Sequence, residues 1–350
     1  MAQLYGRTFT RTELSRSVGH MSQIAGARAC VLTGGLANGV EAVDVRTGTG
    51  FEFTVLPGRA LDIAWASYNG KAVGYMSKTG VVAAPYFQER GYEGFLRNFF
   101  AGLLTTGGLT NIGVPSQDGD ASLGLHGRIS NIPAEDVRVS QAWLRDEYII
   151  TVAGTVRQAK VFGECLLLHR EITTRLGSNS LRIRDIVENG GSKSEPLMVL
   201  YHCNFGFPVV SASSRLYTSG GHVVPRDGTA ADSVVEHDRF SEPQAGYVEQ
   251  CFYHDLHVRE DKSYAAIYNE DLGFGAYVRY RRENLPWLVE WKMLGEHEYV
   301  VGLEPSSGRL EGRAEALRQN QIRLLGPGEE RIFEVEIGIL DGRPALDGLR

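Results

Sequence analysis

Three short segments carry an ionisable side chain beside glycine or proline, where a chain turns and side chains can converge on a cleft. L-H-G-R-I-S-N (Leu125 to Asn131) holds His126, Y-H-C-N-F-G-F-P (Tyr201 to Pro208) holds His202, and V-G-L-E-P-S-S-G-R (Val301 to Arg309) holds Glu304. Histidine exchanges protons near neutral pH, and a carboxylate is a natural partner in acid–base work. Two histidines and a carboxylate are also a plausible ligand set for a divalent metal. Each residue has a plainer reading too, as a structural histidine or a surface carboxylate, and the residues taken alone leave the choice open.

Other candidates surround these. Arg59 and Asp62 in P-G-R-A-L-D-I read either as an ion pair at a strand end or as ligand contacts. Trp287 and Trp291 offer a stacking face for a sugar ring or ordinary core packing. His254, Asp255 and His257 make a metal site only on a helix, because on a strand His254 and His257 face opposite ways. The same alternation turns Cys203 away from His202 and argues against a Cys/His catalytic pair. Cys30, Cys165, Cys203 and Cys251 form no C-x-x-C and read as reduced thiols.

The elements that must position these residues are strands. Leu181, Ile183 and Val187 share one parity while Arg182, Arg184 and Glu188 take the other, and Phe333, Val335, Ile337 and Ile339 repeat the pattern after the turn Gly326-Pro327-Gly328. Further strands are expected over 51–56, 148–156, 165–175, 197–201, 265–269 and 288–293, with His202 closing its strand and Glu304 near the end of another. One helix is expected over 91–104, from the spacing of Phe95, Phe99 and Leu103, and a second near 311–318. Residues 211–232 read as a loop. With 43% hydrophobic and 22% charged residues the chain can bury a large core. No linker or repeat divides it, so the expectation is a single domain over 1–350 with its core at about 28–340, an all-β fold of two packed antiparallel sheets with one or two short helices.

A net charge of −6 with no basic run argues against nucleic acid. No segment approaches the roughly 18 consecutive apolar residues of a membrane span, so a cytoplasmic protein without a membrane partner is expected, and a homodimer is open to it. The absence of G-x-G-x-x-G or G-K-[ST] removes support for a nucleotide cofactor.

The phrases P-G-R-A-L-D-I, L-H-G-R-I-S-N-I-P-A, H-C-N-F-G and G-L-E-P-S-S-G-R together resemble the aldose 1-epimerase (galactose mutarotase) superfamily, most closely its branch described as a domain of unknown function, from about Arg28 to Ile339. The resemblance implies the galactose mutarotase-like β-sandwich, with Glu304 as general base, His202 as general acid and His126 as a sugar contact. Such chemistry needs no cofactor, metal or covalent intermediate. Arg59, Asp62, Arg128, Asn204 and Arg309 are further candidates for substrate contact; the three arginines are not explained by the superfamily's pattern and, near the site, could meet a carboxylate, phosphate or sulfonate on the sugar. Gly127 would let a pyranose approach the backbone, and a charged Glu304 would favour protonated His202. The superfamily's sugar-binding Tyr-Asp-His-Asn-Phe-like segment is replaced by Phe252-Tyr253-His254-Asp255-Leu256, and its Gly-Arg-x-x-Asn-Arg run by Leu109-Thr110-Asn111-Ile112. The sugar is therefore left unassigned. Two alternatives accompany this reading: a metal-dependent isomerase or epimerase using His126, His202 and Glu304 as ligands, and a non-catalytic carbohydrate-binding module.

Overall fold

The computed structural model describes residues 1–349. Two large antiparallel sheets pack face to face, one of 12 strands and one of 8. The alternation seen in the sequence is the reason. Along Cys165–Arg175 and Ser180–Asn189 every second side chain is buried, so each strand gives one face to the core and one to solvent. Leu168, Ile183 and Val335 of the 8-stranded sheet meet Ile63, Tyr201 and Phe205 of the other in one continuous hydrophobic core. Among the described residues no helix is long and apolar enough to cross a membrane.

The central strand of the large sheet, Glu195–Gly206, is buried from Leu197 to its end. One face meets the core, and the other is covered by chain segments that leave a cleft. This strand runs past Tyr201, so His202 lies within a strand and not at its end. The expected loop over 211–232 contains strands Ser214–Thr218 and Gly221–Pro225 and helix Gly228–Ala231.

The helix expected over 91–104 is only Gly91–Leu96. Ala101 and Gly102 have φ of 62° and 66°, which ends any helix before them. A side chain at Gly102 would strike the Ile63 carbonyl, because Leu103 is already donating to that oxygen at 2.8 Å. Phe95 and Phe99 keep their contact without the helix, stacking at 4.7 Å between ring centroids. The second helix is Arg313–Arg318, and with the others the described residues hold five short α-helices.

A buried polar network spans the sandwich. Arg170 and Asp185 are cross-strand partners in the 8-stranded sheet, where Arg170 donates to Asp185 at 2.9 Å from Nε and 2.7 Å from Nη2. Its Nη1 crosses to the other sheet, reaching Asp62 Oδ1 at 3.2 Å and Thr106 Oγ1 at 2.8 Å. Tyr201 completes the circuit by donating to Asp185 at 2.6 Å. All of these groups are out of contact with water, so their compensation comes from one another and from two backbone groups, the Ala60 carbonyl and the Thr106 N–H.

Removing the guanidinium while keeping the volume, Arg170→Met, should cost about 3–5 kcal/mol, because two aspartates stay buried without their cation. Urea unfolding against Arg182→Met, at a solvent-facing position on the next strand, is the control. That variant should change stability by less than about 0.5 kcal/mol.

Candidate active site

The cleft over the large sheet is a cavity of about 810 Å³, within the usual range for small-molecule sites. Its floor is set by strand register. Leu200 pairs with Ser306 and Cys203 with Leu303, which places His202 opposite Glu304, and Glu304 is in turn paired with Val289. Side chains of one parity therefore share the cleft face: His202, Glu304, Trp291 and Cys251 all line it. Cys203 takes the other parity and joins the core.

His202 Nδ1 lies 3.2 Å from Glu304 Oε1, and both side chains are almost wholly buried. Neither Glu304 oxygen nor His202 Nδ1 has a well-directed hydrogen bond. Burial pushes the Glu304 carboxyl well above its ordinary range, Glu249 adds to this and Arg226 opposes it. Burial also holds His202 well below its ordinary value, with His126 adding to the effect. Desolvation therefore works against the expected charged Glu304 beside a protonated His202, since it disfavours the charged form of both groups. Gly302 makes room for this carboxyl, since a Cβ there would sit 2.4 Å from Glu304 Oε1.

His126 reaches the same cleft from a loop, with φ 52°. Its Nδ1 accepts from the Gly113 N–H at 3.3 Å, so in the neutral ring the proton is on Nε2 and that nitrogen is a donor. Burial lowers its pKa to about 4. Phe95 packs on His126 at 5.0 Å, Phe99 and Trp291 pack on His202 at 5.0 and 5.3 Å, and the two imidazoles are 5.6 Å apart. Gly127 serves the backbone and not a ligand. A side chain there would meet the Gly108 carbonyl at 2.3 Å.

Of the eight residues singled out in the sequence, His126, His202 and Glu304 come together and the other five do not line the cleft. Arg59 is fully buried and donates to the carbonyls of Ser130 at 2.6 Å, Asn98 at 3.1 Å and Val82. Its role is to tie three loops, and it forms no ion pair with Asp62. Asp62 accepts from Thr106 N at 3.0 Å and Oγ1 at 2.6 Å and serves the Arg170 network. Asn204 is internal as well, donating to the carbonyls of Ala101 and His202 at 3.0 and 2.8 Å. Arg128 is paired at 3.5 Å with Glu89. Arg309 lies over the Trp287 and Tyr253 rings at 4.5 and 5.1 Å. Those contacts leave Trp291 as the tryptophan facing the cleft.

The other charged residues that line it were not singled out. Arg226 contacts Asp227 at 2.8 Å, Glu249 at 3.1 Å and Cys251 Sγ at 3.0 Å. Glu249 also accepts from Trp291 Nε1 at 2.8 Å, and Lys78 pairs with Glu298 at 2.5 Å. Arg226 follows an unremarkable V-V-P and Glu249 sits in the mixed stretch G-Y-V-E-Q-C, so neither carries a local signal. His254 and His257 do not form a pair, since His254 lies in strand Gln250–Leu256 and points into the interior.

The profile of the family described as domain of unknown function (DUF4432) matches residues 37–339. No curated protein matches the chain. Among solved structures, a candidate aldose 1-epimerase from Klebsiella pneumoniae subsp. pneumoniae MGH 78578 superposes with a TM-score of 0.87 at 22% identity, covering 94% of this chain and 88% of that one. A galactose mutarotase-like protein from Clostridium acetobutylicum gives 0.66 at 15% identity, covering 91% and 99%. A galactose 1-epimerase from Lactobacillus acidophilus NCFM gives 0.59 at 12% identity, covering 91% and 100%. At these identities the likeness establishes the fold, a galactose mutarotase-like sandwich.

A folded-state pKa of about 4 for His126, against about 6.5 unfolded, means that the unfolded chain binds the extra proton first as pH falls. This residue's contribution is intact above pH 6.5 and declines as pH drops toward 4, by up to roughly 3 kcal/mol. The stability difference between wild type and His126→Gln, followed by urea unfolding across this window, should shift by that amount in favour of the variant. In NMR, the His126 ring should stay neutral down to about pH 5.

Proposed function

Because this chain belongs to the family described as domain of unknown function (DUF4432) and has a galactose mutarotase-like fold, we propose that it is an aldose 1-epimerase-like isomerase. The observation that carries the reading is the His202–Glu304 contact of 3.2 Å at the floor of an aromatic cleft, with the His126 donor beside it. In a pyranose the anomeric hydroxyl O1 and ring oxygen O5 are bonded to the same carbon, so the two proton-moving groups need to lie close together. These do.

The pair holds one exchangeable proton, whether as carboxylic acid and imidazole or as carboxylate and imidazolium. Moving it from Glu304 to His202 Nδ1 creates base and acid in one step, and substrate hydroxyls that donate to the carboxylate favour that form. Glu304 then takes the O1 proton while His202 gives one to O5. The C1–O5 bond breaks as the C1 carbonyl forms. Rotation about C1–C2 and the reverse transfers close the other anomer. His126 steadies a sugar oxygen through Nε2–H. Phe95, Phe99 and Trp291 cover the ring's C–H faces.

The charge balance favours a neutral sugar. The cleft cations Arg226 and Lys78 are each already paired with a carboxylate, and Arg59, Arg128 and Arg309 lie off the cleft. The four unpaired cysteines suit a reducing cytoplasm.

Saturation-transfer NMR of α/β exchange, run over a panel of neutral, uronic, phosphorylated and sulfonated aldoses, tests the proposal. Wild type should accelerate exchange of a neutral aldose. Glu304→Gln should lower the rate by at least ~10²-fold with sugar binding still measurable. Undiminished exchange in this variant would remove Glu304 from the mechanism. Binding with no exchange in wild type would favour a non-catalytic binding module.

A further inference from the structure

The strand Trp287–Gly295 has a second group of ionisable side chains on the face turned away from the cleft. Glu290, between the cleft-side Val289 and Trp291, points into the interior. His254 on the neighbouring strand points the same way, and His237 arrives from the segment that follows helix Gly228–Ala231. His237 Nδ1 is 3.0 Å and His254 Nε2 2.9 Å from the same Glu290 oxygen, Oε2. One ligand atom from each residue falls within 4.8 Å of the other two.

As a purely hydrogen-bonded cluster this group is incomplete. Both histidines address Oε2, while Glu290 Oε1 and His254 Nδ1 are buried with no hydrogen-bond partner. Leaving such atoms unpaired is costly in an interior that otherwise pairs its polar groups. No bond at His254 Nδ1 pins the ring in the tautomer that donates from Nε2, so Nε2 is free to present a lone pair. His254 and Glu290 are fully enclosed, but the His237 side chain is 20% exposed and opens one side to water.

We propose that His237 Nδ1, His254 Nε2 and the Glu290 carboxylate bind a divalent transition metal of the zinc class. Two imidazoles and a carboxylate are a donor set that suits such ions. Ligand atoms around a tetrahedral zinc with bonds of about 2.0–2.1 Å lie about 3.4 Å apart, so the two short contacts need to open by less than ~0.5 Å. The fourth position is reached from solvent on the His237 side. Lys292 is the cation that competes on this face. Its ammonium is turned to the carbonyls of Glu236 and His237, both at 3.1 Å, and lies over the Phe240 and Phe252 rings. The metal joins the His237 segment to two strands whose other face carries Cys251 and Trp291. It thus stiffens the cleft wall from behind without touching the sugar.

Cobalt provides the test, because the bound ion reports its own coordination. The full-length protein, stripped with a chelator and titrated with Co²⁺, should take up a single equivalent with the strong visible absorption of a tetrahedral site, and Zn²⁺ should displace it. His237→Ala changes a partly exposed residue outside the strands and should fold normally by circular dichroism, yet bind at least ~100-fold more weakly. Glu304→Gln should bind as wild type does. The proposal is overturned if wild type takes up neither Co²⁺ nor Zn²⁺ at micromolar concentration, if folded His237→Ala binds unchanged, or if Glu304→Gln abolishes uptake, which would move the metal into the cleft.

Discussion

A single buried guanidinium holds the two halves of this molecule in register. Arg170 satisfies Asp185 within its own sheet and Asp62 and Thr106 across the sandwich. Hydrophobic contact between sheets is non-directional and tolerates sliding, whereas an arginine with fixed donors does not. The consequence reaches the cleft along the backbone. Tyr201, anchored to Asp185, directly precedes His202, and Thr106, anchored to Asp62, is followed by Gly107 and Gly108, against which the His126 loop packs.

The cleft uses the opposite property of the same interior. Arg170 is buried with each of its guanidinium nitrogens donating to an acceptor, whereas Glu304 and His202 are buried facing each other with their hydrogen-bonding capacity largely unused. Low dielectric surroundings make the first arrangement stable and the second responsive. In the proposed reaction a substrate that brings hydroxyls to these atoms supplies what the protein withholds and favours the charged form of the pair. In the proposed mechanism this couples proton transfer to substrate binding.

The parts of the molecule written in local periodicity were legible in the sequence. Alternation at Leu181, Ile183 and Val187 and at Phe333 to Ile339 identifies strands whatever their partners are. The three residues that meet in the cleft stood out because they sit in short phrases that hold glycine or proline. Longer-range features left no such mark. Arg170 reads as one of several arginines on a half-wet strand, and only the packing of Asp62 against it makes it central. Arg59 was misplaced for the related reason that Asp62, three residues on, looks like its partner in sequence, while in the fold Asp62 turns to Arg170 and three carbonyls from distant loops surround Arg59. The Phe95, Phe99 and Leu103 spacing imitated a helix because the first two rings converge on one cleft from a short helix and the turn after it, and Leu103 belongs to the core.

The two-residue period of a strand explains how one element can serve two chemistries without mixing them. Along 289–292, Val289 and Trp291 face the cleft side of the sheet, where Trp291 lines the cleft, while Glu290 and Lys292 face the other side with His254. Adjacent residues share a backbone, so anything that fixes Glu290 also fixes the plane from which Trp291 rises toward His202. A one-residue slip would exchange the faces, burying Trp291 in the core and placing a carboxylate and an ammonium in the cleft. The clustering of His237 and His254 on Glu290 opposes that slip from one side of the sheet, and the Glu249 contact to the Trp291 indole opposes it from the other.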